Sequence, residues 1–261
     1  SILAGGNAPG SATLNFNGGV LMATANGTLV GNAGATPVLN AVVQTGGAII
    51  DTNGRDVAVA IPLLDGGGGG GLTKLGGGTL TLSGTNSYGG QTSVAQGDLV
   101  IAGGGSITNV DGRIAYETGL TAQVTVTGPA SKWTNTGNLY VGGDHLGAQG
   151  TGTLTVLNGG TVDAGNTLTI WSTGAVYLTS GVITFQTLDN SHGGIFVHGD
   201  GILTIEGGTF NPGTPDYAVD GPTQSTLNLT DATTTLAGTL KVGDAGNATL
   251  TVTQGADLSN A

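Results

Sequence analysis

The sequence predicts an all-β chain of short strands stacked as a solenoid, and three observations carry that prediction. Apolar and polar residues alternate with a two-residue period in many short runs, the mark of strands with one buried face. Glycine accounts for 53 of the 261 residues and gathers with Asn and Ser between those runs, where the chain must turn. Aromatic residues make up only 4% of the chain, too little for the bulky core of a compact globule. Each unit must therefore bury its apolar side against a neighbour of the same kind. No helical periodicity of useful length competes with this reading.

The elements follow in order. Residues 12–16 alternate up to the turn Asn17-Gly18-Gly19, and 20–23, 29–30 and 38–43 continue as strands. Ala48-Ile49-Ile50 is closed by Asp51-Thr52-Asn53-Gly54, and 57–61 run to Pro62, so residues 1–65 read as N-terminal rungs. The glycine run 66–71 then opens the most sharply patterned block, 66–101. In it Leu80 and Leu82 alternate with Thr79, Thr81 and Ser83, residues 83–90 read as a turn, 93–95 as a strand, and 99–101 as a third strand after Gln96-Gly97-Asp98.

Residues 102–261 read as further rungs with an internal repeat, 124–156 matching 227–252. Val124-Thr125-Val126, Trp133, Leu139-Tyr140-Val141 and Thr153-Leu154-Thr155-Val156 recur as Leu227-Asn228-Leu229, Leu236, Leu240-Lys241-Val242 and Thr249-Leu250-Thr251-Val252. The copies differ mainly at residues 144–149, a longer loop than its counterpart around Asp244. Length variation confined to a loop argues for stacked rungs with one variable corner. Between the copies, 167–170, 175–178, 182–185, 194–197 and 202–205 are short strands. The whole of 1–261 thus reads as a single solenoid domain. At roughly 20–25 residues per turn it makes about 11–13 rungs, a rod on the order of 55–60 Å long.

The stretch 72–90, LTKLGGGTLTLSGTNSYGG, resembles the autotransporter-associated β-strand repeat of large secreted bacterial proteins. That family's pattern is roughly KxGxGTLTLSGxNxYxGxT followed by a GTL-type strand. The chain departs from it where Gln91 precedes Thr92 and where Asp98 replaces Thr before Leu99. Residues 137–164, with GTGTLTVLNGGTV at their core, similarly resemble short repeats of bacterial autotransporter and sorting-signal-associated surface proteins. The resemblance implies a right-handed parallel β-helix at an extracellular or bacterial cell-surface location.

Charge and composition exclude several functions. Five Lys and Arg stand against sixteen Asp and Glu, a formal net charge of −11 with no basic cluster. Nucleic acid is therefore not a partner, because its binding begins with several cations on phosphates. The acidity reads as solubility for an extended surface. With no cysteine, neither a disulfide framework nor a thiolate metal site can form. No run reaches the ~18 apolar residues of a membrane helix, so no membrane insertion is expected of this segment. Residues 1–10 lack the basic-then-apolar character of a signal peptide. Residues 248–261 read as strand and turn and not as a cap, which suggests continuation into more protein or onto another copy.

The search for chemistry assigns no catalytic, cofactor-binding or metal-binding residue, and no cofactor. His145, His192 and His198 are the only histidines. His192 and His198 flank a strand with Asp189 and Asp200 nearby, a pattern a metal or general base could use, but polar residues at strand ends are the plainer reading. Because right-handed β-helices include polysaccharide lyases and hydrolases, Asp51 and Asp56 beside Arg55, and Asp111 beside Arg113 and Glu117, are the acids to examine. Acids next to turn glycines are ordinarily turn formers. Trp133, Trp171, Tyr88, Tyr140, Tyr177 and Tyr217 would make a sugar-stacking platform if several shared a face. Trp133 aligns with Leu236 and reads as core. The Asn-x-Thr triplets at Asn26, Asn228 and Asn247 are formal glycosylation acceptors, coincidental in a bacterial protein.

The sequence therefore points to a non-enzymatic structural or adhesive module of an extracellular bacterial surface protein. Its expected partner is a further copy of itself, joined head to tail through open solenoid ends into an extracellular filament, with glycans or surfaces as further contacts. The alternative is a polysaccharide-active or glycan-binding β-helix.

Overall fold

A computed structural model describes residues 1–4, 10–34, 38–206, 209–211, 217–219, 224–230, 232–236, 239–243 and 246–260. Its described residues form strands, turns and irregular segments with no helix. The chain crosses three faces in rotation, and like faces of successive turns pair in parallel. On the first face, nine strands form one sheet, with Leu80 of Thr79–Leu82 opposite Val57 on one side and Leu99 of Gly97–Ile101 on the other. Tyr217–Val219 and Leu240–Val242 pair with each other at the same point in the cycle.

The second face begins with Ser11–Phe16, Val38–Val43 and Leu63–Asp65 and resumes at Thr85–Asn86 and Ser106–Asn109. On the third face a single ladder runs through eleven strands, from Val20–Met22 by way of Leu72–Leu75 and Gly112–Ile114 to Asp257–Asn260. Thr161–Ile170 and Gly181–Asp189 each cover two faces, bending where the register shifts between Ala164 and Thr167. The all-β solenoid is as the sequence predicts. Turn length varies more widely than expected: Leu99 lies 19 residues beyond its partner Leu80, and Leu154 lies 30 beyond Val124.

Period-two alternation explains the interior. Leu80, Leu99, Val124, Leu154 and Val176 follow one another in register and are all buried, as are Leu82, Ile101, Val126, Val156 and Leu178. Parallel stacking places like upon like, so each Leu or Val loses its apolar surface to the residue above and below, at roughly 1.5–3 kcal/mol per side chain. Trp133 is fully buried, with its indole Nε1 donating to Asn109 Oδ1 at 2.7 Å. Asn109 in turn donates to Asn135 Oδ1 at 2.9 Å. The Trp133 expectation of a core position holds.

Corners are closed by hydrogen bonds between turns. Asn53 and Gly54 both have positive φ, as do Asn158 and Gly159, and each pair forms a tight bend of the kind this dipeptide favours. All four Asn-Gly dipeptides share a further property. The N–H groups of Gly18, Gly27, Gly54 and Gly159 donate to the carbonyls of Gly47, Asp56, Gly77 and Ser180, each in the following turn. The glycine run 66–71 is packed between neighbouring turns: a Cβ on Gly70 would fall 1.8 Å from the Gln44 carbonyl oxygen, and one on Gly71 2.1 Å from that of Gln91.

Block 72–101 contains more strands than its alternation suggested. Leu72–Leu75, Thr79–Leu82, Thr85–Asn86, Thr92–Val94 and Gly97–Ile101 visit the third, first, second, third and first faces. The extra second-face strand lies inside the expected turn 83–90, and its inward residue is polar. Asn86 is buried, accepting from Leu63 N at 3.0 Å and donating to Gly84 O and Ser106 O at 2.9 Å. A polar inward residue breaks the apolar alternation on which the reading depended.

Candidate functional site

Among the described residues, two places in the stack bring ionisable or aromatic side chains together. The first is internal. Lys74 occupies the inward row between Ile50 and Val94 and is fully buried. Its Nζ donates to Thr52 Oγ1 at 3.0 Å, Gly76 O at 2.8 Å and Gln96 O at 2.8 Å, with Leu75 O sharing a donor at 3.3 Å. One ammonium thus ties the corners of three successive turns together. Burial pulls its pKa down to about 8 against the opposing pull of Asp98 and Asp51. The glycines beside it leave room for this arrangement, since a Cβ on Gly97 would come within 2.6 Å of Gly78 O and 3.0 Å of Lys74 Nζ.

A lysine before a glycine-rich corner, held inside a parallel stack, is the feature to set against known families. Residues 72–101 match the passenger-associated-transport-repeat family model. No curated protein and no solved structure matches the chain. A passenger-associated repeat within a parallel β-solenoid fits an autotransporter passenger-like β-helix repeat protein. In this chain the repeat holds Lys74 and also Tyr88, which is fully buried with its hydroxyl 2.8 Å from Thr92 Oγ1. Burial pushes the Tyr88 phenol far above its ordinary pKa. Tyr88 is therefore no part of a surface platform.

The second place is the corner between the third and first faces, C-terminal to the passenger-associated repeat. Ser93, Arg113, Tyr140, Thr169 and Asp189 lie in register along the outer row of the third face. Arg113 Nε donates to Ser93 Oγ at 2.9 Å, and the guanidinium sits 4.2 Å above the ring of Tyr116. Burial and the neighbouring Glu117 raise the Tyr116 pKa, and burial and Asp111 raise that of Tyr140. Next comes the loop at residues 144–149, where Gly143–Asp144 and Gly147–Ala148 pair as a small antiparallel hairpin; its sequence counterpart at Asp244 lies outside the described residues. Leu146 at its tip is 77% exposed.

Trp171 anchors this loop by donating from Nε1 to Asp144 O at 3.0 Å. Its ring lies 4.1 Å from that of His192 at a tilt of 31°, and His192 Nε2 is 3.4 Å from Asp189 Oδ2. Burial draws the Asp189 carboxyl upward, but hydrogen bonds from Ser191 and the charge of His192 outweigh it and hold the pKa below the ordinary value.

The remaining candidates separate. His198 does not share a site with His192: it continues the inward row after Leu178, where burial lowers its pKa to about 4. Asp51 and Asp56 fall on one corner, yet both carboxylates bind backbone, Asp51 Oδ1 accepting from Asn53 N at 2.8 Å and Asp56 Oδ1 from Thr79 N at 3.0 Å. Asp111 Oδ1 likewise accepts from Asn138 N at 2.6 Å. Among the described residues no three His, Asp or Glu side chains gather where a metal ion would sit. Asp244 and the Tyr217 and Leu236 side chains lie outside the described residues.

An open cleft of about 400 Å³ follows the first-to-second corner past Ser180, Val182, Ile202 and Thr226. Asp200 is the ionisable residue among its lining, and its Oδ1 accepts from Gln224 N at 2.9 Å. Tyr116 and Lys74 were not singled out in the sequence. Only the position of Lys74 in the repeat pattern could have marked it, and nothing in the local pattern marks Tyr116.

Proposed function

We propose that the chain is the exported, non-catalytic rod of a bacterial surface protein, serving as a scaffold and adhesive segment outside the cell. The uninterrupted third-face ladder of eleven parallel strands, with the passenger-associated repeat inside it, carries this reading. Its mechanism is mechanical. Backbone hydrogen bonds run along the stack and apolar rows fill the interior, so at ~4.8 Å per turn the rod extends about 48 Å over ten spacings. The commitment of Asp51, Asp56 and Asp111 to backbone N–H groups supports a structural role for these acids over acid–base work.

Antibodies raised against the chain are expected to label intact cells of the producing organism. Labelling only after permeabilisation refutes the surface reading. Self-association is the finer part of the proposal, since a turn of parallel strand edges is a template for a like turn. Sedimentation velocity should show end-to-end oligomers as concentration rises, and a single short-rod species at every concentration refutes that part.

A further inference from the structure

We propose that the third-to-first corner around Tyr116, Tyr140 and Trp171 is a binding site for neutral oligosaccharides. This deepens the adhesive reading above and rests on it. The corner answers the question that the scattered aromatics left open. Tyr88 and Trp133 are buried in the interior, whereas Tyr116, Tyr140 and Trp171 are half-buried and gather within three successive turns. The register fixes this: Tyr140 pairs with Arg113 on one side and Thr169 on the other, with Tyr116 and Trp171 three and two residues farther along their turns. At ~4.8 Å per turn the three rings span about 10 Å along the rod.

Two of these rings are fixed before any ligand arrives. Trp171 is held by its hydrogen bond to Asp144 O and by His192 against its ring, and Tyr116 lies beneath the Arg113 guanidinium. Rigid aromatic surface of this kind binds with little further loss of side-chain freedom. A sugar ring presents an apolar C–H face and a rim of hydroxyls, so it needs an aromatic surface bordered by hydrogen-bond acceptors. The carboxylates of Asp111, Asp144, Glu117 and Asp189 border the rings, each on the same turns or the next; Asp111, Asp144 and Asp189 each already accept with one oxygen from the backbone N–H of Asn138, Leu146 and Ser191.

Charge selects among sugars. Four carboxylates outnumber the basic groups of Arg113 and His192 at this corner, on a chain of net charge −11, and disfavour uronate-rich or sialylated glycans. The corner also carries the hairpin whose tip exposes Leu146, in keeping with contact residues concentrating on loops.

The test uses the full chain, titrated with cellohexaose, maltohexaose and chitohexaose, and with hexagalacturonate as the anionic control, by calorimetry and tryptophan fluorescence. At least one neutral hexasaccharide should bind with a Kd of about 1 mM or tighter. Trp171→Ala and Tyr140→Ala should each weaken it by about tenfold or more. Trp171→Phe, which keeps a ring but loses the hydrogen bond to Asp144 O, should weaken binding less than Trp171→Ala, and Thr73→Ala, two turns from Arg113 on the same face, should leave it unchanged. No binding by any of the three neutral sugars, tighter binding of hexagalacturonate, or unchanged affinity in both alanine variants overturns the proposal. Labelling of intact cells is independent of these titrations, so loss of the glycan site and loss of the surface reading are told apart.

Discussion

Raising the pH from 7.5 to 9.5 should stabilise this protein, and Lys74 is the reason. Its ammonium is fully buried, and its pKa falls from 10.5 to about 8 on folding. Between those values the unfolded chain binds the proton and the folded chain releases it, so the unfolded state holds more protons and stability rises with pH. Each pH unit inside that window contributes about 1.4 kcal/mol, giving about 2 kcal/mol between pH 7.5 and 9.5. The window stops below pH 10 because the raised phenol of Tyr88 acts in the opposite sense above it.

The assay is guanidinium denaturation of the chain and of Lys74→Met at half-unit pH steps. The wild-type midpoint should climb while that of the variant stays level. The variant should also be the less stable of the two at pH 9.5, because Thr52 Oγ1, Gly76 O and Gln96 O lose their shared donor. Parallel pH profiles for the two proteins would refute the assignment of the effect to Lys74.

Other perturbations have distinct expected outcomes. Acidification from pH 6.5 to 4 should remove about 3 kcal/mol through His198, whose folded pKa of about 4 leaves the unfolded state with more protons throughout that window; His198→Leu should flatten this acid limb. Leu99→Ala, at a fully buried site between Leu80 and Val124, should lower stability by about 3 kcal/mol in chemical denaturation. Gly97→Ala should cost at least about 1 kcal/mol, since φ there is 69° and the new methyl would meet Gly78 O and Gly76 O.

Much of the architecture is legible because alternation in the sequence maps directly onto inward and outward residues, as at Leu80, Leu82, Leu99 and Ile101. Which face a strand occupies is not legible, because all three faces use the same period. The internal repeat illustrates this. Val124-Thr125-Val126 lies on the first face, while its sequence counterpart Leu227-Asn228-Leu229 lies on the second. The buried lysine resisted reading for a related reason: Lys74 occupies an inward slot, and its partners are carbonyls and a hydroxyl contributed by turns 22 residues before and after it. The aromatic corner depends on register across turns of unequal length, so Arg113, Tyr140 and Thr169 become neighbours only once the chain is wound.

The Asn-Gly corners give the stack a bearing on chemical ageing. Asn-Gly is the dipeptide most open to spontaneous deamidation, in which the glycine nitrogen attacks the asparagine side-chain carbonyl, ammonia leaves, and water then opens the ring. In all four such dipeptides that nitrogen is occupied by a hydrogen bond to the next turn. Peptide mapping after prolonged incubation should find Asn17, Asn26, Asn53 and Asn158 intact in folded protein and converted in urea. Equal conversion in both would show that the neighbouring turn gives no protection. If the four asparagines stay intact when folded, winding preserves the covalent chain as well as its shape, each turn shielding the one before it.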